Sequence, residues 1–152
     1  MATYRDIVGA QDIVGDDDVA GDDIGADGDG PRARERAETK SRQTPLGFPT
    51  TAMAAAATAS PAAVTQVLFR GRRLVIPSDI AASILVNDLK IGKNSQFSSG
   101  APVPGRVFSE IAVGVDLSLD TAQISQTIVL NVTNTSVGAV TFNAALLGDS
   151  LE

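Results

Sequence analysis

Apolar and polar side chains alternate along the second half of the chain, and this alternation predicts β-strands. The strongest example is residues 111–119, where Ile, Val or Leu occupies every second position and small or polar residues lie between them. A period of two places successive side chains on opposite faces of a strand, so one face of this segment is expected to be buried. Residues 127–133 repeat the pattern, with Ile128, Leu130 and Val132 predicted to face inward.

Further β-type runs surround these two segments. Residues 64–70 predict a strand that turns at Gly71 into another over residues 72–76, after which Pro77 ends the ladder. Residues 139–147 predict the last strand, with four side chains on one face: Val140, Phe142, Ala144 and Leu146.

The middle of the chain predicts one more strand and a long connection. Ile84–Ile91 is expected to carry Leu85 and Leu89 on the same face. Gly, Asn, Ser and Pro then indicate an irregular connection over residues 92–105, and residues 107–108 are at most a short strand edge.

These strands, joined by turns and without a long amphipathic helix, predict an all-β fold. We expect an antiparallel β-sandwich or a small jelly-roll-like barrel of about six to eight strands over residues 64–152. Residues 46–63 are rich in Ala and Thr and predict a linker or a short helix. Residues 1–45 predict a disordered or extended low-complexity arm, because Gly and Asp oppose regular structure and bury little apolar area.

Charge is distributed very unevenly along this plan. Residues 1–30 carry nine Asp against one Arg, a net charge of −8. Residues 31–45 carry a net charge of +3 and residues 46–152 a net charge of −1, which leaves −6 for the whole chain. Nearly all of the acidity therefore belongs to the arm.

The acidic arm contains an imperfect Asp-Ile-Val-Gly repeat, with copies at residues 6–9 and 12–15 and looser versions after them. Their Ile-Val pairs are candidate contacts with a neighbouring subunit: Ile7, Val8, Ile13 and Val14. The alternative is an arm that only keeps the protein in solution, and the sequence leaves both interpretations open.

Arg70, Arg72 and Arg73 form the only concentrated charge in the predicted β-domain. They are candidate subunit contacts, because complementary charge would bind the acidic arm of an adjacent copy and set the register between subunits. A phosphate site and a solvated hairpin end are the alternatives. The basic residues of segment 31–45 allow nucleic-acid binding, but the neighbouring aspartates disfavour it.

The residue inventory excludes most site chemistries. The chain has no His and no Cys, which removes the usual general base, thiolate metal sites and disulfides. The segment that begins at Asp27 fails as an EF-hand loop, because Arg32 stands where glycine is required. Asp116 and Asp120 are better explained as solvated carboxylates than as a catalytic pair. We expect no enzyme activity and no cofactor, and weak divalent-cation binding by the polyanionic arm stays open.

Neither a secretion signal nor a membrane span is predicted. Acidic residues begin at Asp6, and no basic start is followed by an apolar core. The most apolar stretch without charge, residues 50–68, is mostly Ala and Thr with Pro61 inside it. We therefore expect a protein that is used without export and does not insert into a membrane.

The organisation of the chain resembles that of viral, especially bacteriophage, coat or capsid-associated proteins with jelly-roll or sandwich subunits. The resemblance rests on the arm, the Ala/Thr linker and the Val/Ile-rich β-domain, and on residues 73–78, 89–97 and 103–108. It implies a shell, cement or vertex subunit of a virion, assembled in the host cytoplasm by contacts with itself and with other shell proteins. Many coat-protein arms are basic and face the genome; this arm is chiefly acidic, which favours contacts with protein.

Two functional hypotheses follow. The first is a self-assembling structural subunit whose arm links its neighbours. The second is a β-sandwich binding or adhesion module, attached to a larger particle or surface, with residues 94–106 as its ligand-binding loop. The first predicts a homo-oligomer, the second a monomer or small oligomer.

Overall fold

The computed structural model describes residues 40–151, and they form an antiparallel, sandwich-like all-β fold, which confirms the predicted fold class. The strands are β1 (Ser41–Gly47), β2 (Thr51–Met53), β3 (Thr58–Ala59), β4 (Ala62–Val64), β5 (Leu68–Val75), β6 (Ile84–Ile91), β7 (Asn94–Ser95), β8 (Val103–Pro104), β9 (Thr121–Ala122), β10 (Thr127–Asn134), β11 (Val140–Phe142) and β12 (Ala145–Leu151). A helical turn, α1 (Ser78–Ala81), follows β5, and a 3-10 helix spans Gly105–Phe108.

Two sheets carry most of the domain. The front sheet has the strand order β1-β12-β5-β9. The back sheet has the order β3-β10-β6-β7, with β4 also paired to β10 and β8 to β6, and β2 and β11 form a separate pair. All of these strand pairs are antiparallel.

The inward faces of the strands build one apolar core. In β10 the predicted inward residues Ile128, Leu130 and Val132 are fully buried, as expected from their alternation. Phe69 and Leu146 bring the front sheet into the same cluster. Each such side chain stabilises the fold by about 1.5–3 kcal/mol relative to an exposed one.

A bulge in β6 contradicts the predicted faces of that strand. Asn87 is the extra residue where the register with β10 shifts, and its Nδ2 donates a hydrogen bond to Oγ1 of Thr133 at 2.8 Å. An extra residue reverses the alternation beyond it. Val86 before the bulge and Leu89 after it are therefore both fully buried, whereas Leu85 is only partly buried.

The predicted boundary between arm, linker and β-domain is wrong. Strand β1 includes residues 41–45, and residues 46–63 contain β2 and β3 and most of β4 instead of a helix or a linker. Ala and Thr residues tolerate several conformations, so the neighbouring strands decide the backbone conformation of this segment. Strand β1 pairs with β12, β2 with β11, and β3 and β4 with β10. The β-domain of the described chain therefore includes Ser41.

Residues 111–119 form no strand, although they have the strongest alternation in the sequence. The alternation survives partly as burial: Leu119 is buried, whereas Ile111 and Val113 are 75% and 93% exposed. Gly114 has a φ of +75°, which interrupts an extended chain. Alternation specifies which side chains share a face, but a ladder also needs a neighbouring strand with a free edge.

Three smaller predictions are also corrected. Residues 107–108 lie in the 3-10 helix and not in a strand edge. Residues 139–147 are divided between β11 and β12, because β11 pairs with β2 whereas β12 pairs with β1 and β5. The connection over residues 92–105 contains the short strands β7 and β8.

Candidate subunit-contact site

The three candidate arginines lie in the middle of β5 and not at a hairpin end. The predicted turn at Gly71 is wrong, because β5 runs without a break from Leu68 to Val75 and pairs with β12 along its whole length. The structure thus brings Arg70, Arg72 and Arg73 together on a continuous strand.

A second bulge puts all three arginines on the outer face of the front sheet. The register passes from Gly148 opposite Gly71 to Leu147 opposite Arg73, which leaves Arg72 as the extra residue. In a regular strand Arg73 would point to the face opposite Arg72. The bulge shifts the alternation, so Arg72 is exposed and Arg73 is half-buried on the same outer side.

Two facing glycines allow this close approach of β5 and β12. A Cβ atom on Gly148 would overlap the backbone of Arg70 and Gly71. A Cβ atom on Gly71 would lie 2.7 Å from Cδ2 of Leu146. The absence of side chains at both positions is therefore a condition for the bulge that orients the arginines.

Each arginine has a different environment. Nε of Arg72 lies 2.7 Å from Oδ2 of Asp149, whose side chain is only 8% exposed. Nη2 of Arg73 donates hydrogen bonds to the carbonyl oxygens of Glu110 at 3.2 Å and Ala112 at 2.7 Å. The guanidinium of Arg70 is exposed and makes no ion pair or hydrogen bond within residues 40–151. Arg70 is thus the arginine with most capacity for a new partner.

The buried carboxylate explains why Arg72 is held in place. Asp149 lies opposite Gln43 of β1 and Arg70 of β5, close to the centre of the front sheet. A carboxylate removed from water is costly unless an opposite charge compensates for it. Its ion pair with Arg72 supplies that compensation and fixes one wall of the site.

A groove follows the outer face of the front sheet beside the arginines. One part has a volume of about 440 Å³ and is lined by residues 43–45 of β1, Arg72 and Arg73 of β5, residues 147–149 of β12, and Asp116. A second part of about 350 Å³ shares Arg72 and Asp116 with it and adds Arg70, Leu117 and Ser118. We call the two parts together the arginine groove.

The arginine groove combines guanidinium groups with apolar surface. Pro45 and Leu147 are both exposed and lie opposite each other in the β1–β12 register. Guanidinium groups form paired hydrogen bonds with carboxylates. The groove therefore has the chemistry to bind an extended acidic peptide that also carries aliphatic side chains.

Four of the predicted contact residues, Ile7, Val8, Ile13 and Val14, lie outside the described residues. Sequence reasoning missed Asp149 and Gln43, which line the same groove. Asp149 had one available signal, since it is the first acid after the uncharged residues 121–148. No feature of the sequence indicates that Gln43 pairs with β12, because this partner strand begins 102 positions later in the chain.

The alternative ligand-binding loop has many of its side chains already engaged. The ring of Phe97 stacks on that of Phe108 with centroids 6.3 Å apart. Gln96 donates to Oδ2 of Asp120 at 3.0 Å and accepts the backbone N–H of Asp120 at 2.8 Å. These contacts use two of the larger side chains of the segment for folding.

No helix within residues 40–151 is long and apolar enough to cross a membrane. In the same part of the chain, no three acidic side chains gather to hold a metal ion. Comparison with protein-family models, with curated proteins and with solved structures finds no match for this chain. The support for a function therefore comes from the arginine groove and from the charge pattern of the sequence.

Proposed function

We propose that this protein is a structural subunit that assembles with copies of itself into a virion or another protein shell, as a capsid, cement or vertex protein. Its acidic N-terminal segment links neighbouring subunits. The observation that carries the proposal is the opposition of charge within one chain. Residues 1–39 have a net charge of −7, whereas residues 40–151 have a net charge of +2 and present the arginine groove.

The proposed link is an exchange between copies. Aspartates from one copy would bind Arg70 and the outer edge of Arg72 in the next, and an Ile-Val pair would cover Pro45 and Leu147. A single exposed ion pair contributes only about 0.2–1 kcal/mol. Several Asp-rich repeats on one arm, multiplied over many identical subunits, make the linkage strong through effective concentration.

The test compares a charge reversal in the groove with a matched reversal elsewhere. Arg70→Glu reverses the charge of the most available arginine; because position 70 lies opposite Asp149, thermal unfolding of this variant is measured as well. Lys93→Glu changes charge equally at an exposed position in the β6–β7 turn. Mass photometry and negative-stain imaging of the full chain should show regular large particles. We expect Arg70→Glu to reduce them and Lys93→Glu to leave them unchanged.

Deletion of residues 1–39 should reduce assembly in the same way as Arg70→Glu. A full-length chain that stays monomeric at every concentration would contradict self-assembly and favour the binding-module hypothesis. If the deletion variant and Arg70→Glu both assemble normally, only the linking role of the arm is contradicted, and self-assembly is not.

A further inference from the structure

An unpaired β-type segment lies at one edge of the front sheet. Residues 111–117 reach that edge on the β5 side, where the N–H of Leu117 donates to the carbonyl of Arg72 at 2.5 Å. The backbone N–H and C=O groups of residues 113–116 have no hydrogen-bond partner within residues 40–151. Ile111 and Val113 are largely exposed on this segment. It therefore offers both backbone groups and apolar side chains to a partner.

The opposite edge of the front sheet also lacks a neighbouring strand among residues 40–151. Among the described strands β1 pairs only with β12, so its other edge has no neighbour over seven residues. An uncovered edge of this length is a template for pairing with another chain. Within the part of the chain that the structure describes, each copy thus carries one open strand and one open β-type segment, at the two ends of the same sheet.

We propose that residues 111–117 of one copy pair antiparallel with β1 of a second copy and so join the two front sheets edge to edge. Opposite charges on the two edges support a second copy of the chain as the partner. Arg42 of β1 and Asp116 of the segment are both exposed, and neither has an ion pair within residues 40–151. The proposal rests on the self-association described above and assigns a second contact to it.

A register with Pro45 opposite Val113 places Arg42 level with Asp116 along the joined edge. Gly47 then lies opposite Ile111, and Val113 shares the outer face with Pro45, which lines the arginine groove. Pro45 has no N–H to donate, and the left-handed Gly114 lies beside the position opposite it. The ladder therefore lacks one hydrogen bond at this position.

The contact is heterologous, because it uses two different surfaces of the same subunit. A contact of this kind repeats from copy to copy, and it closes into a ring when the rotation between copies permits. A closed shell needs such directional contacts. The arm would then tie together subunits whose sheets the strand pairing has already aligned.

The first test uses two exposed valines. Val113→Asp puts a charge into the proposed strand pairing, and Val137→Asp makes the same change at a fully exposed position of the β10–β11 connector. We expect Val113→Asp to weaken association by about tenfold or more in sedimentation velocity, with an unchanged thermal unfolding curve. Val137→Asp should associate like the unaltered chain.

The second test identifies the partner surface, and the lack of native cysteine makes it direct. Full-length Pro45→Cys and Val113→Cys proteins are mixed and oxidised. Directly opposed strand residues are close enough for a disulfide, so we expect a heterodimer that neither protein forms alone. Disulfides between two Pro45→Cys chains, or between Pro45→Cys and a Val137→Cys control, would contradict the proposed pairing.

The two proposals fail in different ways. An unaltered chain that never associates would contradict the proposed function and the strand pairing together. A chain that assembles normally with Val113→Asp and gives no Pro45–Val113 cross-link would contradict only the strand pairing.

Discussion

At the scale of single residues, Gly148 decides how β12 meets β5. It has no Cβ, and therefore the backbone of Arg70 and Gly71 can approach it closely. That approach permits the bulge at Arg72, which in turn places three arginines on one face. The composition of the groove is thus visible in the sequence, but its geometry depends on two glycines that face each other only after folding.

We expect Gly148→Ala to lower the free energy of unfolding by about 2–4 kcal/mol, because the new methyl group overlaps rigid backbone and not a movable side chain. Gly138→Ala is the matched control, since a Cβ there meets open space. Urea denaturation followed by circular dichroism measures both. Equal stability of the two variants would contradict the close approach.

At the scale of elements, the local alternation of side chains and the pairing with a neighbouring strand contribute separately to strand formation. The alternation in β10 predicted its inward residues correctly, because that strand has neighbours on both sides. The same kind of pattern in residues 111–119 predicted a strand that is absent, because Gly114 with its positive φ interrupts the extended chain and only Leu117 bonds to the backbone of β5. In β6 the faces were wrong after Asn87, since no local signal marks the bulge.

One buried side chain shows how elements are joined. Asn134 at the end of β10 is fully buried. Its Nδ2 donates to the carbonyls of Ala54 and Gly138, each at 2.9 Å, and its Oδ1 accepts the N–H of Ser136 at 2.9 Å. The side chain thereby connects β10 to the segment after β2 and shapes the connector to β11.

Asn134→Ala should therefore lower the free energy of unfolding by about 1–3 kcal/mol, because it removes three hydrogen bonds to the backbone and leaves a small cavity at a fully buried position. Asn131→Ala, on the same strand but only partly buried, should cost less than about 1 kcal/mol. Thermal and chemical unfolding of the two variants compare them directly. A similar cost at both positions would contradict the connecting role.

At the scale of the whole molecule, charge is segregated along the chain. The described domain has a small positive net charge, and residues 1–39 hold most of the acids. The proposed assembly uses this segregation for attraction between copies and uses the edges of the front sheet for direction. The arm contact depends on charge and the strand pairing on backbone hydrogen bonds and apolar side chains. The salt concentration therefore distinguishes the two contacts.

Raising the salt concentration from about 0.05 M to about 0.5 M should release the arm-mediated part of the assembly, because exposed ion pairs are screened beyond a few ångströms. Light scattering on the full chain should show smaller species at high salt. A chain without residues 1–39 should lose most of this dependence. Larger species at high salt in both proteins would contradict an electrostatic link.

The sequence by itself determined the fold class, the inward face of β10, the segregation of charge and the residue types of the candidate contact. These follow from periodicity and composition, which are local properties. Tertiary structure alone decided that residues 41–63 contribute strands to the sheets and that residues 111–119 join no ladder. It also decided that Arg70, Arg72 and Arg73 share one face beside Asp149. Those outcomes depend on non-local pairing and bulges, because a strand acquires its register only from the neighbour beside it.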